Sequence, residues 1–321
     1  MPDSEHWQSD ENYKFAEETI KSGHFDAIIY QDSYAPTQKI ICPLARKYGV
    51  PLYIFEHNTP LYVFKAMTWR PILSLKGIPQ RIIFLGTLYR EIRRKRYLLK
   101  YANKYVLLSS QYIPELCKLI GIKPGNDKLT YINNPILPLS DPIDEEKENI
   151  ILCVCQVIPR KRVNLMLKMW ERMYAKYPDW KFQIVGDGTD RQKLEQYVEE
   201  LNIPRVEFTG YAKPQQYYRK AKIFWMTSSF EGWGMTLIES MQCGCVPIAY
   251  DTFSSIYDII VDGNNGYIVG NLDSETFIAK SEQLMQDCTL FNRMSSQAKA
   301  KAATFEIDSI IQKWYKLLKC K

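Results

Sequence analysis

The chain has 321 residues, of which 46% are hydrophobic and 24% are charged, with 42 Lys and Arg against 36 Asp and Glu. This composition excludes a wholly disordered chain and leaves room for two separate hydrophobic cores. The polar start at residues 1–6 lacks the order of a signal peptide, and no apolar run is long enough to span a bilayer, so we expect a cytoplasmic protein.

In the first half of the chain, short β-type runs alternate with segments of helical periodicity. The alternation is typical of an α/β fold, in which a parallel sheet carries helices on both faces. The predicted strands of this half lie at 26–30, 51–55, 104–108 and 128–132.

The segment 61–100 departs from this alternation because it is strongly basic. It holds ten Lys or Arg against a single acid, Glu91, together with several aromatic residues. Such a segment can contact an anionic membrane surface or bind an anionic acceptor, and a solvated basic helix is an equally good interpretation. Nucleic acid is not expected as a partner, because no nucleic-acid-binding motif accompanies the charge.

The second half of the chain repeats the alternation after a stretch rich in proline and charge, which we interpret as a linker. Apolar residues at helical spacing predict one amphipathic helix over 307–319 near the end of the chain. The predicted strands are almost entirely apolar, as strands buried on both faces are, and lie at 151–155, 181–185, 206–208, 223–227 and 246–250. The predicted division is a domain at 1–137, the linker at 138–149, a domain at 150–303 and a final helix at 304–321.

The densest chemical signal is the glycine-rich run at 228–244, which directly follows a predicted strand. Gly232 and Gly234 loosen the turn, a helix is predicted to begin near Met235, and Gly244 is suited to end it. The unpaired N–H groups and the positive dipole end of such a helix would face the turn. This arrangement predicts a binding site for a diphosphate.

Two carboxylates bracket the predicted site. Glu231 precedes the helix and Glu239 lies about one turn inside it, so the two can reach different parts of one extended ligand. Carboxylates accept hydrogen bonds from vicinal hydroxyls, which suits one of them to a sugar and the other to a ribose. The simpler alternative is a capping acid followed by a solvated helix acid.

Glu231 and Glu239 are separated by seven residues, and with the runs at 185–188, 244–249 and 258–267 they resemble the retaining glycosyltransferase family four, or glycosyl transferases group 1. The resemblance implies a GT-B fold, in which two Rossmann-like domains place parallel sheets across a cleft. It assigns the acceptor to 1–137 and the nucleotide-sugar donor to 150–303. By the same resemblance, Glu231 contacts the donor sugar, Glu239 contacts the ribose, and the diphosphate is held by backbone amides of Gly234, Met235 and Thr236.

The family also places an Arg and then a Lys after the first strand of the donor domain. Lys161 matches the Lys, but Gln156 stands where the Arg is expected, and a neutral amide cannot offset diphosphate charge. Arg160 or Arg162 can compensate, or both can lie on the surface. In the first domain, His57 follows the strand at 51–55 and matches a family His that faces the acceptor and the scissile bond, although a lone His after a strand is more often structural.

The resemblance implies retaining sugar transfer from a UDP- or GDP-linked donor to a saccharide or lipid-linked acceptor, in the synthesis of a bacterial surface polysaccharide. It also allows the segment 61–100 to contact the inner face of the cell membrane. No Asp-x-Asp stands in a donor-site loop, so we expect no metal and no other cofactor. The glycine-rich loop at the start of the family's first domain has no counterpart, so we expect a shortened domain or a fragment. The alternative is a non-catalytic nucleotide-sugar-binding remnant; a dehydrogenase is not expected, because no G-x-G-x-x-G opens either half.

Overall fold

The computed structural model describes residues 2–3, 5–32, 37–63, 78–139 and 146–319, so that 64–77 of the basic segment and 140–145 of the linker lie outside the described residues. The chain divides into two compact units, each with its own parallel sheet. Unit 1 comprises Met1–Asn133 with Lys313–Lys321, and unit 2 comprises Asn134–Gln312. The predicted α/β class with two parallel sheets is therefore confirmed, whereas the roles of the predicted domains remain predictions.

Unit 1 contains four parallel strands in the order in which they occur along the chain. The strands are β1 (Ile28–Asp32), β2 (Leu52–Glu56), β3 (Lys104–Leu107) and β4 (Leu129–Tyr131), each within two residues of its predicted limits. All five residues of β2, which pairs with β1 and β3, are buried, as expected for a parallel strand whose two faces are both covered. The helices described in this unit are α1 (Asp10–Ser22), α2 (Gln38–Lys47), α3 (Ile78–Tyr101) and α4 (Tyr112–Ile120).

Local signals account for the ends of these helices. The side chain of Ser9 accepts a hydrogen bond from the Asn12 N–H and so caps the start of α1. Helix α4 ends at Gly121, whose φ of 67° is a left-handed conformation that glycine adopts at little cost. Within the described ranges, no helix has both the length and the apolar character needed to cross a bilayer.

Unit 2 contains six parallel strands in the order β7-β6-β5-β8-β9-β10. They are β5 (Glu148–Val154), β6 (Lys181–Val185), β7 (Val206–Gly210), β8 (Ala221–Met226), β9 (Val246–Tyr250) and β10 (Tyr267–Val269). The strand β10 was not predicted from the sequence. The helices are α5 (Val163–Met173), α6 (Arg191–Glu200), α7 (Gln215–Lys220), α8 (Met235–Gln242), α9 (Ile256–Ile259), α10 (Ser274–Gln286) and α11 (Cys288–Ala303).

The last helix, α12 (Ile307–Lys319), has the limits that the sequence predicts, and the division between the units falls within it after Gln312. The core of unit 2 contains a continuous series of aromatic rings with centroids 5.0–6.4 Å apart. These rings link α5 and α10 to the sheet and are those of Trp170, Phe182, Trp225, Phe277 and Tyr250. Their burial supplies a large apolar area between the two layers.

The strand order of unit 2 reverses direction between the neighbouring strands β5 and β8. The chain first builds β5, β6 and β7 outward in one direction and then returns to place β8, β9 and β10 on the other side of β5. The connections from β5 to β6 and from β8 to β9 therefore run in opposite directions across the sheet. In open α/β sheets, ligands bind outside the carboxyl ends of the strands at such a switch point.

Candidate functional site

The glycine-rich turn lies at this switch point, between the end of β8 at Met226 and the start of α8 at Met235. Gly234 precedes the helix with a φ of 92° and a ψ of 47°. A Cβ at this position would also lie 3.3 Å from Leu237 Cδ1 and 3.4 Å from the Phe253 ring. Glycine therefore allows both the conformation and the close packing with which the strand turns into the helix.

The start of α8 has the properties of an anion site. No side chain caps it, and the Leu237 N–H donates to the Gly234 carbonyl at 3.0 Å. The first amides of a helix, here those of Met235 and Thr236, have no acceptor within the helix, and the helix dipole makes this end positive. The predicted helix start at Met235 is thus confirmed, and it suits a phosphate group.

Hydrogen bonds hold the loops that follow β5 and β8 against each other. The buried Thr227 hydroxyl donates to the carbonyl of Lys161 at 3.1 Å and to that of Arg162 at 3.0 Å. The Ser229 N–H donates to the Arg160 carbonyl at 2.8 Å. These bonds join residues about 70 positions apart and place the short helical turn Pro159–Lys161 beside the glycine-rich turn.

Lys161, Arg160 and Glu231 form an ion cluster in this position. The Lys161 Nζ lies 2.5 Å from Glu231 Oε1, and the Arg160 Nη1 lies 3.6 Å from Glu231 Oε2. The Arg160 guanidinium also donates to the Phe230 carbonyl and packs over the Phe230 ring. Only 10% of the Glu231 side chain and 13% of the Lys161 side chain are exposed. Two cations, Lys161 and Arg160, therefore hold the nearly buried carboxylate of Glu231 in the glycine-rich turn.

The two arginines considered as substitutes for the missing family Arg lie in different places. Arg160 lies within 4 Å of Glu231, whereas the Arg162 guanidinium donates to Asn271 Oδ1 at 2.8 Å. The backbone of Arg162 is left-handed, with a φ of 53°, and Arg162 directly precedes α5. Gln156 is exposed. Arg160 therefore supplies a positive charge that the neutral Gln156 does not.

Glu239 has different surroundings. It lies in α8 with its Oε2 accepting a hydrogen bond from the Tyr218 hydroxyl at 3.0 Å. Burial raises the pKa of Glu239 above its ordinary value, and the bond from Tyr218 offsets part of this effect. Burial and the nearby Glu239 carboxylate hold the pKa of Tyr218 well above its usual range, so the phenol remains a donor. Tyr218 was not found from the sequence, because it lies in α7 outside any recognised motif.

A second glycine turn supports the loop that carries Lys161. Gly186 follows β6 with a φ of 137°, and a Cβ there would lie 1.8 Å from the Cys155 carbonyl oxygen. At Gly188 a Cβ would lie 2.4 Å from the Val157 carbonyl oxygen, and the Val157 N–H donates to the Asp187 carbonyl. Because Gly186 and Gly188 have no side chain, the backbone of 185–188 can pack directly against the backbone of Cys155 and Val157.

His57 lies in unit 1, directly after β2. Its ring packs edge-to-face against Phe55 with centroids 4.5 Å apart, and partial desolvation lowers the pKa of His57 although part of the side chain is exposed. The adjacent Glu56 is buried and accepts hydrogen bonds from Lys95 Nζ and, at 2.7 Å, from the Tyr105 hydroxyl. At neutral pH the His57 imidazole is therefore mainly neutral. It lies beside the end of β2, which the hydrogen bonds to Glu56 hold in place.

Across the parts of the chain that the structure describes, no group of three or more His, Cys, Asp and Glu side chains is arranged to hold a metal ion. A metal-independent reaction remains a prediction.

A further residue that the sequence did not single out is Trp233, in the glycine-rich turn. It is 3% exposed and packs edge-to-face on Phe305, and its Nε1 is the one buried side-chain donor without a hydrogen-bond partner among the described residues.

Comparison with known proteins gives consistent results. The chain is 27% identical over 232 residues to the poly(ribitol-phosphate) alpha-N-acetylglucosaminyltransferase of Staphylococcus aureus. The matched region covers 70% of this chain and 46% of that protein. It is 28% identical over 316 residues to the GalNAc-alpha-(1->4)-GalNAc-alpha-(1->3)-diNAcBac-PP-undecaprenol alpha-1,4-N-acetyl-D-galactosaminyltransferase of Campylobacter jejuni, covering 93% of this chain and 76% of that protein. The chain thus spans about half the length of the first relative and three quarters of the second.

The solved structures show the same fold. The structure of TarM superposes with a TM-score of 0.71 at 20% identity, covering 96% of this chain and 58% of that one. The structure of Anabaena HepE with UDP and glucose superposes with a TM-score of 0.73 at 15% identity, covering 99% of this chain and 84% of that one. With the two parallel sheets, these likenesses confirm the predicted GT-B fold. Residues 140–301, just over half of the chain, match the sequence profile of the glycosyl transferases group 1, and the chain belongs to this family.

Proposed function

We propose that this chain transfers a sugar, with retention and without a metal, from a UDP- or GDP-linked donor to a saccharide or lipid-linked acceptor during cytoplasmic synthesis of a bacterial surface polysaccharide. The observation that carries the proposal is the Lys161, Arg160 and Glu231 cluster beside the uncapped start of α8. Family membership supports glycosyl transfer. The names of relatives in amylovoran biosynthesis in Erwinia amylovora and of a lipopolysaccharide 1,6-galactosyltransferase of Escherichia coli support the pathway.

In this proposal the donor diphosphate binds the backbone N–H groups of Met235 and Thr236. Lys161 and Arg160 offset the charge that develops on the phosphate as the bond to the sugar breaks. The Lys161 ammonium has three N–H donors, and the hydrogen bond to Glu231 uses one of them. The same ammonium can therefore contact a phosphate oxygen without leaving the carboxylate.

The two carboxylates bind different parts of the donor. Glu231 accepts hydrogen bonds from sugar hydroxyls, and its position is fixed by the two cations. Glu239 binds the ribose hydroxyls through the oxygen that Tyr218 does not engage. The acceptor hydroxyl attacks the anomeric carbon on the face that the phosphate leaves, and its proton departs with the phosphate. His57 is assigned to the acceptor side, where a neutral imidazole can orient a hydroxyl.

Calorimetry with the full chain tests the donor site, using UDP, GDP and their common sugars in buffer with EDTA. We expect one nucleotide to bind selectively and its sugar to be transferred to an acceptor. Glu239→Gln should weaken nucleotide binding by about tenfold or more, because it removes a charged hydrogen-bond acceptor. Glu231→Gln should preserve nucleotide binding and abolish transfer. Glu275→Gln makes the same chemical change at an exposed acid in α10 and should alter neither.

The second candidate is a nucleotide-sugar-binding protein without transferase activity, for which the neutral Gln156 is the supporting observation. Selective binding with no turnover against a range of saccharide and lipid-linked acceptors would favour it. A folded chain that binds no nucleotide, or one in which Glu231→Gln is fully active, would contradict the site assignment itself.

A further inference from the structure

The two carboxylates of the candidate site in unit 2 are held in different ways. Glu231 forms ion pairs with Lys161 and Arg160. Within the parts of the chain that the structure describes, Glu239 forms no ion pair, and its side chain accepts one hydrogen bond, from the Tyr218 hydroxyl at 3.0 Å. The charge and the orientation of the Glu239 carboxylate therefore depend on a single neutral partner.

Tyr218 is fixed through both its backbone and its ring. Its carbonyl accepts hydrogen bonds from Lys147 Nζ at 2.9 Å and from Cys245 Sγ at 3.2 Å. The residue is 2% exposed, and its ring packs against the Phe224 ring of β8 with centroids 6.0 Å apart. A closely packed side chain of this kind has few other positions to adopt. Tyr218 therefore presents its hydroxyl to Glu239 in a fixed place.

The hydrogen bond from Tyr218 favours the ionised form of Glu239. Burial raises the pKa of Glu239, and the bond lowers it, because a donated hydrogen bond stabilises a charged carboxylate. The phenol keeps its own proton, since burial and the Glu239 charge hold the pKa of Tyr218 well above its usual range. An ionised carboxylate only accepts hydrogen bonds, whereas a protonated one also donates. Tyr218 thus favours the form of Glu239 that binds hydroxyl groups.

The other titratable groups around this pair come from several elements. Cys243, directly after α8, is influenced by the Glu239 charge, and burial raises the pKa of its thiol, so that it stays neutral at neutral pH. The thiols that act on Tyr218 are Cys153 of β5 and Cys245 before β9. The cations that act on Cys243 are Lys147 before β5, Arg219 of α7 and Lys299 of α11. Of all these groups, Tyr218 is the one that alters the pKa of Glu239.

We infer that Tyr218 is a positioning residue, which keeps Glu239 ionised and oriented toward the ribose and thereby sets the preference of the site for nucleotides that carry ribose hydroxyls. The inference rests on the proposed function, in which Glu239 binds the ribose. A carboxylate that is already fixed loses less conformational freedom when the ligand binds. A site built around a fixed acceptor also rejects an analogue without the hydroxyl, because the acceptor then stays unpaired.

Calorimetry with the full chain tests the inference, using UDP and GDP and, for each, the dideoxynucleotide that lacks both ribose hydroxyls. The measured quantity is the ratio of the two dissociation constants for the base that binds. Both nucleotides of a pair carry the same diphosphate, so titration of the phosphates cancels in the ratio. For the parent chain we expect a ratio of about ten or more, because a hydrogen bond to a charged group is lost. The ratio should fall as the pH is lowered from about 8 to about 5, since Glu239 becomes protonated.

Tyr218→Phe removes the hydroxyl and keeps the buried ring. At neutral pH this change should lower the ratio by about threefold or more. The fall of the ratio should also move to higher pH, because the pKa of Glu239 rises further without the hydrogen bond. When Glu239→Gln is already present, adding Tyr218→Phe should not change the ratio again, because Tyr218 acts through Glu239.

The matched control is Tyr197→Phe, at a tyrosine whose hydroxyl donates to Glu171 at 2.8 Å on an exposed part of unit 2. It makes the same chemical change in another pair of tyrosine and glutamate. The ratio and its pH dependence should stay as they are in the parent chain. Circular dichroism melts check that every variant is folded.

The outcomes separate this inference from the proposed function. If Tyr218→Phe keeps the parent ratio and its pH dependence, even in a less stable chain, the role of Tyr218 is only structural and the inference is overturned. It is also overturned if Tyr218→Phe lowers the ratio further in the presence of Glu239→Gln. If the parent chain binds both nucleotides of a pair equally, or if Glu239→Gln keeps the parent ratio, the assignment of Glu239 to the ribose fails, and the inference fails with it.

Discussion

Replacement of Lys161 by Met tests whether the ion cluster at the glycine-rich turn is a coupled unit. The change removes an ammonium 2.5 Å from Glu231, in a pair whose side chains are only 13% and 10% exposed. Breaking a buried pair by removing one partner costs about 3–5 kcal/mol, because the other charge stays buried. Arg160 remains 3.6 Å from the carboxylate. We therefore expect the free energy of unfolding to fall by about 2 kcal/mol, below the usual range for a fully unpaired charge.

Glu231→Gln should be destabilising for the same reason, since it leaves the Lys161 ammonium without its carboxylate. The double variant removes both charges, and loss of a whole buried pair is often nearly neutral. A double-mutant cycle should therefore give a coupling energy of about 2 kcal/mol. Urea unfolding at low salt, followed by circular dichroism, measures all four free energies.

The matched control is the pair of Arg172 and Glu275, whose atoms lie 2.7 Å apart but whose side chains are 49% and 77% exposed. A cycle on this pair should give a much smaller coupling than the cycle on Lys161 and Glu231, because exposed pairs are screened by water. If the Lys161 and Glu231 variants are additive, or if their coupling equals that of the exposed pair, the cluster is not the desolvated unit described above.

Three further predictions concern other buried features. Burial raises the pKa of Glu239, so the stability that this side chain contributes is lost as pH rises from the ordinary Glu pKa through the raised folded pKa. Glu239→Gln should therefore raise the free energy of unfolding at pH 7 and not at low pH. A larger gain at low pH in urea melts would contradict this sign. Gly186→Ala should cost at least about 3 kcal/mol in thermal unfolding, because its Cβ would overlap the Cys155 carbonyl at a φ that non-glycine residues avoid; a wild-type melting temperature would refute that packing. Lys95→Met should cost about 3–5 kcal/mol by leaving Glu56 buried and unpaired, and adding Glu56→Gln should restore most of it if the charge is the cause.

The local structure of this protein could be predicted from its sequence to a large extent. A parallel strand whose two faces are both covered is buried along its length, so 52–55 of β2 and all of β9 read as apolar runs, and the limits of both strands were predicted within two residues. The start of α8 and the limits of α12 were also predicted, because a glycine turn and an amphipathic period are local patterns. The motif around Glu231 and Glu239 likewise indicated the family, which the profile match to residues 140–301 confirms.

Only the tertiary structure decided which residues meet. The order of strands in unit 2, with β8 beside β5, depends on packing between distant segments and places the switch point between two loops about 70 residues apart. Arg160, and not Arg162, lies near Glu231. This depends on the left-handed backbone of Arg162 and on the hydrogen bonds of Thr227, which no local pattern encodes. The bond from Tyr218 to Glu239 has the same origin, since spatial neighbours that are far apart in the chain are selected by the fold as a whole and not by the residues beside them.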